Sequence, residues 1–180
     1  MRILRAMTMV LAMAGSVAAA QDTRTALAQF RERADSYAQL QRQITRAFPE
    51  PDEGDESWGM MLARHHAAAE LRRARGAAQA GDIFIFIPPV HPIFRERIAA
   101  ALAGPDQHAL RAAAARSTHD AGGRKAAVDQ PFPAAALLPV RLILALPELP
   151  PELEYRLAGR DLVLWNVYAE LVADVLDDVF

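Results

Sequence analysis

The pair His65-His66, together with Glu70, is the first group of residues in the chain that could hold a metal ion. His66 and Glu70 are four residues apart, so on a helix they would share one face, a geometry that zinc or nickel accepts. Two ligands do not make a site, and nothing in the spacing shows that another histidine converges on them. The sequence therefore favours solvated histidines and predicts no metal, with His65, His66 and Glu70 as the candidates of a metal-handling alternative.

Hydroxyl groups next to a histidine and an acid occur once, where Ser117 and Thr118 are followed by His119 and Asp120. Adjacent residues cannot form a catalytic relay, because the base must reach the hydroxyl while a third group orients it from behind. Paired carboxylates that meet only in the fold stay open, so a hydrolase with dispersed acidic residues is a second alternative. The expectation is a non-enzymatic protein with no catalytic residue and no cofactor.

Three charged segments carry simpler predictions. The acidic stretch 50–56 lacks the alternation of a calcium loop and is predicted to be a solvated linker. Gly122–Lys125 is too short for a phosphate loop and is predicted to be a flexible tip. Asp174, Asp177 and Asp178 are predicted to form a charged rim that discourages edge pairing of a sheet.

The first 20 residues have the organisation of an export signal. Arg2 and Arg5 flank the start of an apolar run, Ala6–Gly15, which the small residues Ser16–Ala20 follow. This pattern predicts a signal peptide over 1–20, cleaved before Gln21, and a periplasmic protein. The apolar run has about half the length that a bilayer span needs, and no later stretch is longer, so we expect no transmembrane span after cleavage.

The composition of the exported chain limits its domain number, its thiol chemistry and its expected partners. Removal of residues 1–20 turns 180 residues into 160, which suits the single domain that we predict over 21–180. The chain has no cysteine, which excludes disulfides, thiol catalysis and lipidation at a cysteine. The formal charge of −2 becomes −4 once Arg2 and Arg5 are removed, so nucleic acid is not an expected partner.

Hydrophobic spacing predicts a helical hairpin over 21–81. Apolar residues recur at steps of three and four through residues 22–47, and Pro49 ends the pattern. A second helix is predicted from Trp58 to about Ala80. Its apolar stripe contains Trp58, Met61, Leu62, His65, Ala69, either Leu71 or Arg72, and Ala78.

The connector over 82–139 is predicted to be irregular and partly helical. Gly81–Ile87 is β-branched and aromatic, so on its own it predicts a buried strand. Helices are predicted over Ile93–Leu102 and Asp106–Arg116, and a mobile surface loop over Ser117–Asp129.

A β-meander is predicted over 140–180. Val140–Leu146 is the first predicted strand, and the pattern then favours strands over Leu153–Leu157, Asp161–Trp165 and Leu171–Leu176. Residues 161–178 also fit helical spacing, so the residues alone leave strand and helix open there. The predicted class is α+β, with an N-terminal helical hairpin and short helices packed on a small antiparallel C-terminal sheet.

Several segments of the chain resemble an uncharacterised family of exported, periplasmic bacterial proteins: Gly81–Phe84, Phe94-Arg95 with Ile98, Val128–Pro133, Leu146–Pro150, Leu153–Arg156 and Gly159–Leu162. The C-terminal 30 or so residues also resemble the β-module of periplasmic nickel and cobalt homeostasis proteins. Both resemblances imply strands rather than helix at the C-terminus, and neither implies a reaction or a ligand. Asn166 departs from the family, whose members have an aspartate there.

These observations together predict an exported, periplasmic, non-enzymatic protein that takes part in an interaction or binding role at the cell envelope. The sequence does not identify the partner, although an envelope protein fits the compartment. The metal-handling protein and the hydrolase remain the two alternatives.

Overall fold

The computed structural model of the protein describes residues 3–47, 56–77, 84–105 and 107–179, with side chains from residue 20 in the first range and from residue 58 in the second. The helices are α1 (Ile3–Ala47), α2 (Glu56–Ala77), α3 (His91–Leu102), α4 (Gln107–Ala121) and α5 (Val140–Ala145), and a 3-10 turn covers Pro88–Val90. The strands are β1 (Ala136–Leu137), β2 (Leu153–Ala158), β3 (Asp161–Asn166) and β4 (Leu171–Leu176).

The four strands form one antiparallel sheet in the order β1-β2-β3-β4. This result confirms the predicted α+β class, and it resolves residues 161–178 as two strands and a turn rather than a helix. The turn between β2 and β3 needs a glycine, because Gly159 has a φ of 65°. A side chain there would also meet Thr118, whose Oγ1 lies 3.1 Å from the ideal Cβ position.

Successive side chains of a strand point to opposite sides of the sheet. Both of these faces are covered by other parts of the protein. One face packs against the helices and builds the main core around an aromatic cluster in which Phe94 contacts Phe30, Phe86 and Tyr155 at centroid distances of 5.1, 5.2 and 6.0 Å. The other face carries a smaller cluster that includes Val163, Trp165, Val172, Phe132 and Ala121.

A β-bulge in β4 changes which way Asp174 points. Leu164 is opposite Asp174, whereas Trp165 is opposite Val172, so Ala173 is the extra residue. An extra residue reverses the alternation beyond it. Asp174 therefore lies on the same side as Leu164, which belongs to the main core, instead of on the opposite face.

The prediction of a strand over Val140–Leu146 is wrong, because residues 140–145 form α5. The Pro139 carbonyl accepts hydrogen bonds from the amides of Leu142 and Ile143, which starts a helical turn. Only Leu142 is buried in this helix, at 1% exposure, while Leu144 is 79% exposed. The fourth strand of the sheet is instead β1, which pairs with β2 at the sheet edge.

The connector also differs from its predicted elements. Within Gly81–Ile87, residues 81–83 lie outside the described ranges, and residues 84–87 form no strand although residues 85–87 are buried as predicted. The predicted loop Ser117–Asp129 is wrong over its first five residues, because α4 continues to Ala121 and Ser117 is buried. The buried hydroxyl of Ser117 has a partner inside the protein, because its Oγ accepts a hydrogen bond from the Gly159 amide at 3.1 Å.

Residues 3–20 of the predicted leader lie at the start of α1, and cleavage of the leader stays a prediction. The acidic linker predicted over 50–56 falls almost entirely outside the described residues. In the part of the chain that the structure describes, no helix combines the length and apolar character needed to cross a bilayer.

Candidate functional site

The residues predicted as metal candidates lie on α2. His65 and His66 are exposed, and Glu70 is half-buried and forms an ion pair with Arg73, one turn further along the helix. Across residues 3–47, 56–77, 84–105 and 107–179, no three His, Asp or Glu side chains are grouped so that they could hold one metal ion. Glu70 has a cationic partner in the structure, and His65 lines a cleft.

The hydroxyls before His119 are used for structure. Ser117 Oγ accepts the amide of Gly159, and Thr118 Oγ1 donates to the carbonyl of Ala114 at 2.9 Å within α4. His119 is exposed. The sequence neighbours Ser117, Thr118 and His119 thus point to different places, as expected for consecutive residues of a helix.

The prediction that Asp174 belongs to a charged rim is wrong, although Asp177 and Asp178 are exposed. Asp174 Oδ2 accepts the amides of Ile85 and Phe86 at 2.6 and 2.7 Å, and Oδ1 accepts the amide of Val175 at 2.8 Å. Burial raises the pKa of this carboxyl, and the three amides act in the opposite direction. Asp174 is therefore the anchor that ties the segment before α3 to β4.

A second buried group joins α1 to the end of β3. Asn166 Nδ2 donates to Tyr37 Oη at 2.9 Å and to Gln41 Oε1 at 2.7 Å, and Asn166 Oδ1 accepts the amide of Ala169. Burial raises the pKa of Tyr37 to about 12. These bonds satisfy polar atoms that would otherwise cost free energy inside the protein, so we interpret the group as structural.

Arg75 and Asp129 lie next to Tyr37 and hold α2 against the rest of the protein. Arg75 Nε is 3.0 Å from Asp129 Oδ1, and the guanidinium lies over the Tyr37 ring at 5.2 Å from its centroid. Burial raises the pKa of Asp129, while Arg75 and Arg72 lower it. Arg72 Nε also donates to the Asp129 carbonyl at 2.8 Å. Helix α2 is thereby fixed at its C-terminal half.

The N-terminal half of α2 forms one wall of an open cleft of about 490 Å³, which we call the α2 groove. The opposite wall comes from the turn that leads into β4 and from Pro131. The groove is lined by Met60, Met61, Arg64, His65, Ala68, Arg72, Pro131, Ala169, Glu170 and Leu171. Arg64 bridges its two walls, because its Nη1 donates to Glu170 Oε1 at 2.8 Å. Its Nη2 donates within α2 to Met60 Sδ at 3.5 Å.

Large apolar side chains stand exposed beside this groove. Trp58, Met61 and Leu62 are 63%, 51% and 47% exposed, respectively. Their spacing of three and four residues places them on one side of the helix; we call them the α2 ridge. Exposed apolar residues that cluster, unlike single ones, mark surfaces that bind something.

Sequence reasoning misplaced most of the buried face of α2. The predicted stripe contained the α2 ridge and, as one of two choices, Leu71, whereas the buried residues are Ala63, Ala67, Ala68, Leu71 and Arg75. Alanine side chains bury little apolar area, so a helix face made of alanines gives a weaker hydrophobic signal in the sequence than a face with a tryptophan and a methionine. Small side chains let a helix approach closely, which is how α2 packs on α1.

A larger cleft of about 630 Å³ lies between α1, α2 and residues 85–87. Its polar walls are occupied by contacts within the protein: Arg33 donates to the Phe84 carbonyl at 2.9 Å, and Ser36 donates to the Glu32 carbonyl at 2.8 Å. The α2 groove differs because it adjoins the exposed ridge. For this reason we take the groove, and not the larger cleft, as the candidate site.

Comparison of the chain with protein-family models, with curated proteins and with solved structures finds no match. The function must therefore be argued from the chemistry of the groove and its ridge.

Proposed function

We propose that the protein is exported to the periplasm and acts there as a non-enzymatic binding protein whose α2 groove and ridge contact an envelope protein. The observation that carries the proposal is the exposed trio Trp58, Met61 and Leu62 beside an open groove. The expected partner presents an apolar segment, because that is what such a ridge can bury.

The side chains of the ridge suit an interface. Tryptophan is over-represented among the residues that dominate binding energies, because it buries a large area in one rigid group. Methionine is flexible and polarisable, so it adapts to partners of different shape. At about 25 cal/mol per Å², burial of the exposed parts of such side chains supplies several kcal/mol before the entropic cost of association.

The groove is held in a fixed shape, which supports a binding role. The Arg64–Glu170 pair joins its walls, and Arg72 and Arg75 tie the following turns of α2 to Asp129. A preorganised surface binds more tightly than a mobile one because less entropy is lost on association. Export is supported by the basic start, the apolar run and the small residues of 1–20.

Site-specific photocrosslinking in cells that express the full chain would test this proposal. A photoreactive residue replaces Leu62 of the ridge in one variant and Ala115, an exposed residue of α4, in the control. We expect a crosslinked envelope protein at position 62 and none at position 115, with the adduct strongly reduced in the background Trp58→Ser.

Equal adducts at the two positions, or an adduct at position 62 that Trp58→Ser leaves unchanged, would show that the ridge is not the contact surface. The location is tested separately: fractionation should recover the protein in the periplasm with Gln21 as its first residue. An intact Met1 on cytosolic material would contradict export.

A further inference from the structure

A second exposed apolar surface lies across the sheet from the α2 groove. It consists of Leu137 in β1 and of Val140, Ile143 and Leu144 on α5, which are 63%, 70%, 38% and 79% exposed; we call it the α5 face. Strands β1 and β4 occupy opposite edges of the sheet, and the turn that leads into β4 forms a wall of the α2 groove. The α5 face and the α2 groove are therefore separate surfaces.

The segment that carries the α5 face has almost no charge. Residues 131–147 contain a single charged side chain, Arg141, and no aspartate or glutamate. Val140, Ile143 and Leu144 are three and four residues apart, so they share one side of α5, while Leu142 is buried in the core. Helix α5 is thus apolar on its outer side as well as on its inner side, and such a cluster indicates a surface that contacts apolar material.

We propose that the α5 face binds the surface of an anionic lipid bilayer. Its leucine, isoleucine and valine side chains enter the boundary between the headgroups and the acyl chains, as apolar side chains of peripheral proteins do. The inference concerns a surface other than the α2 groove and depends neither on export nor on a protein partner.

Arginines lie on α5 and at its end. Arg141 is exposed within α5, next to Val140 in the sequence. Arg97 of α3 lies at the C-terminal end of α5, because its Nη1 donates to the carbonyl of Ala145 at 2.7 Å. An arginine can lay its aliphatic stem along an apolar surface while its guanidinium reaches a phosphate group. The two side chains are therefore placed to contact lipid phosphates when the α5 face enters the bilayer surface.

The charge near this end of α5 favours an anionic surface. The hydroxyl of Tyr155 donates to the carbonyl of Pro147 at 2.9 Å, just after α5. Burial raises the pKa of Tyr155, and the positive charges of Arg97 and Arg31 act in the opposite direction, so both arginines lie near this point. The acidic residue closest to α5 in the sequence is Glu148. Together with Arg141, the arginines outnumber this carboxylate and complement anionic headgroups.

The backbone of α5 is prepared for an environment with little water. The carbonyl of Pro139 accepts the amides of Leu142 and Ile143, and the amide of Leu146 donates to the carbonyl of Leu142 at 3.1 Å. Pro139 and Pro147, which flank the helix, have no amide hydrogen to satisfy. A backbone group that enters lipid without a partner costs free energy, so these internal bonds remove an obstacle to insertion.

Binding to vesicles is the direct test. The full chain is floated with vesicles made of equal parts of phosphatidylglycerol and phosphatidylcholine, or of phosphatidylcholine alone. We expect the chain to bind the anionic vesicles more tightly and to be released from them by added salt. Leu144→Ser should weaken this binding about tenfold, whereas Leu62→Ser, the same change on the α2 ridge, should leave it unchanged. Arg141→Gln should weaken binding to the anionic vesicles about fivefold.

A probe at the same position reports insertion. The chain has no cysteine, so Leu144→Cys can carry one polarity-sensitive fluorophore. Anionic vesicles should shift its emission to shorter wavelength, and they should leave the same fluorophore on Leu62→Cys unchanged. Unchanged thermal melting of the variants would show that they remain folded.

Three results would overturn the proposal: no binding of the wild-type chain to anionic vesicles, equal losses for Leu144→Ser and Leu62→Ser, or an unshifted fluorophore at position 144. A dimer in the absence of lipid that Leu144→Ser dissociates, measured by light scattering, would assign the α5 face to a second copy of the chain instead. None of these results bears on the crosslinking experiment, so the two proposals fail separately.

Discussion

Replacement of Asp174 by alanine should be among the most destabilising single changes on the sheet. The carboxylate is 1% exposed and accepts three backbone amides, two from the segment before α3 and one from Val175. Each buried amide that loses its acceptor costs about 1–3 kcal/mol. The cost of burying the negative charge, which the substitution removes, offsets part of this penalty. We therefore expect the free energy of unfolding to fall by about 3 kcal/mol, near the low end of the summed penalty for three amides.

The loss can be measured by urea denaturation followed through tryptophan fluorescence, because Trp165 is buried on the sheet. For a chain of this size, about 3 kcal/mol corresponds to a fall in Tm of about 6–12 °C. Asp177→Ala removes an exposed carboxylate from the same C-terminal segment and serves as the matched control, with little change expected. A loss below about 1 kcal/mol for Asp174→Ala would refute the reasoning that the three amides depend on this carboxylate.

The pH dependence of the same position has a defined sign. Because burial raises the pKa of Asp174 above its ordinary 3.8, the folded state binds the proton more tightly than the unfolded state does. The contribution of Asp174 to stability is therefore largest below pH 3.8 and is lost as the pH rises through the raised pKa. Asp174→Asn does not titrate, so the stability advantage of the wild type over it should shrink from pH 3.5 to pH 7. An advantage that grows over this range would contradict the raised pKa.

Five further substitutions, one of them a control, test the fold. Leu142→Ala should cost about 2–4 kcal/mol in urea denaturation, while Leu144→Ala should have almost no effect; a strand would place both side chains on one face and give similar losses. Phe94→Ala, at the centre of the aromatic cluster, should cost about 3–5 kcal/mol in the same assay. Arg75→Ala should cost about 3 kcal/mol, because it leaves a carboxylate partly buried without its cation; a smaller loss than that of an exposed arginine would contradict this. Tyr37 has a pKa raised to about 12, so its contribution to stability is complete below pH 10 and is lost as the pH rises through 12; Tyr37→Phe should lack the corresponding step in an absorbance titration of tyrosinate.

The sequence pattern located the helices and the C-terminal meander where their periodicity was strong. Strand β2 alternates apolar and polar residues and glycine stands at the β2–β3 turn, so local chemistry was sufficient for β2. Strands β3 and β4 do not alternate, and residues 161–178 also fit helical spacing, so the residues alone left strand and helix open there. The pattern failed at Val140–Leu146, whose run of branched apolar residues suits a strand and a short helix equally. The choice between strand and helix for this segment depends on the rest of the sheet, because β1 already occupies the edge position beside β2.

The candidate site was predicted in part. His65 was named beside His66, whose spacing to Glu70 suggested a metal site, but the residues that accompany His65 in the groove include Met60 and Met61. Sequence reasoning placed Met61 and Trp58 in the buried stripe of α2, because large apolar side chains are ordinarily buried. One available signal was missed: the alanines at positions 63, 67 and 68, with Leu71, form a continuous helical face of their own.

The sequence by itself determined the α+β class, the thiol-free chemistry of the chain and the positions of its longer helices, because these follow from composition and from periodicities within a few residues. Tertiary structure alone decided that Asp174 is buried, that α2 exposes its tryptophan and that Glu170 meets Arg64. The reason is physical: a bulge reverses the side of a strand to which a residue points, and the face that a helix buries depends on the shape of its neighbour. Both depend on residues about 90 or more positions away in the chain, such as Ile85 for Asp174 and Glu170 for Arg64.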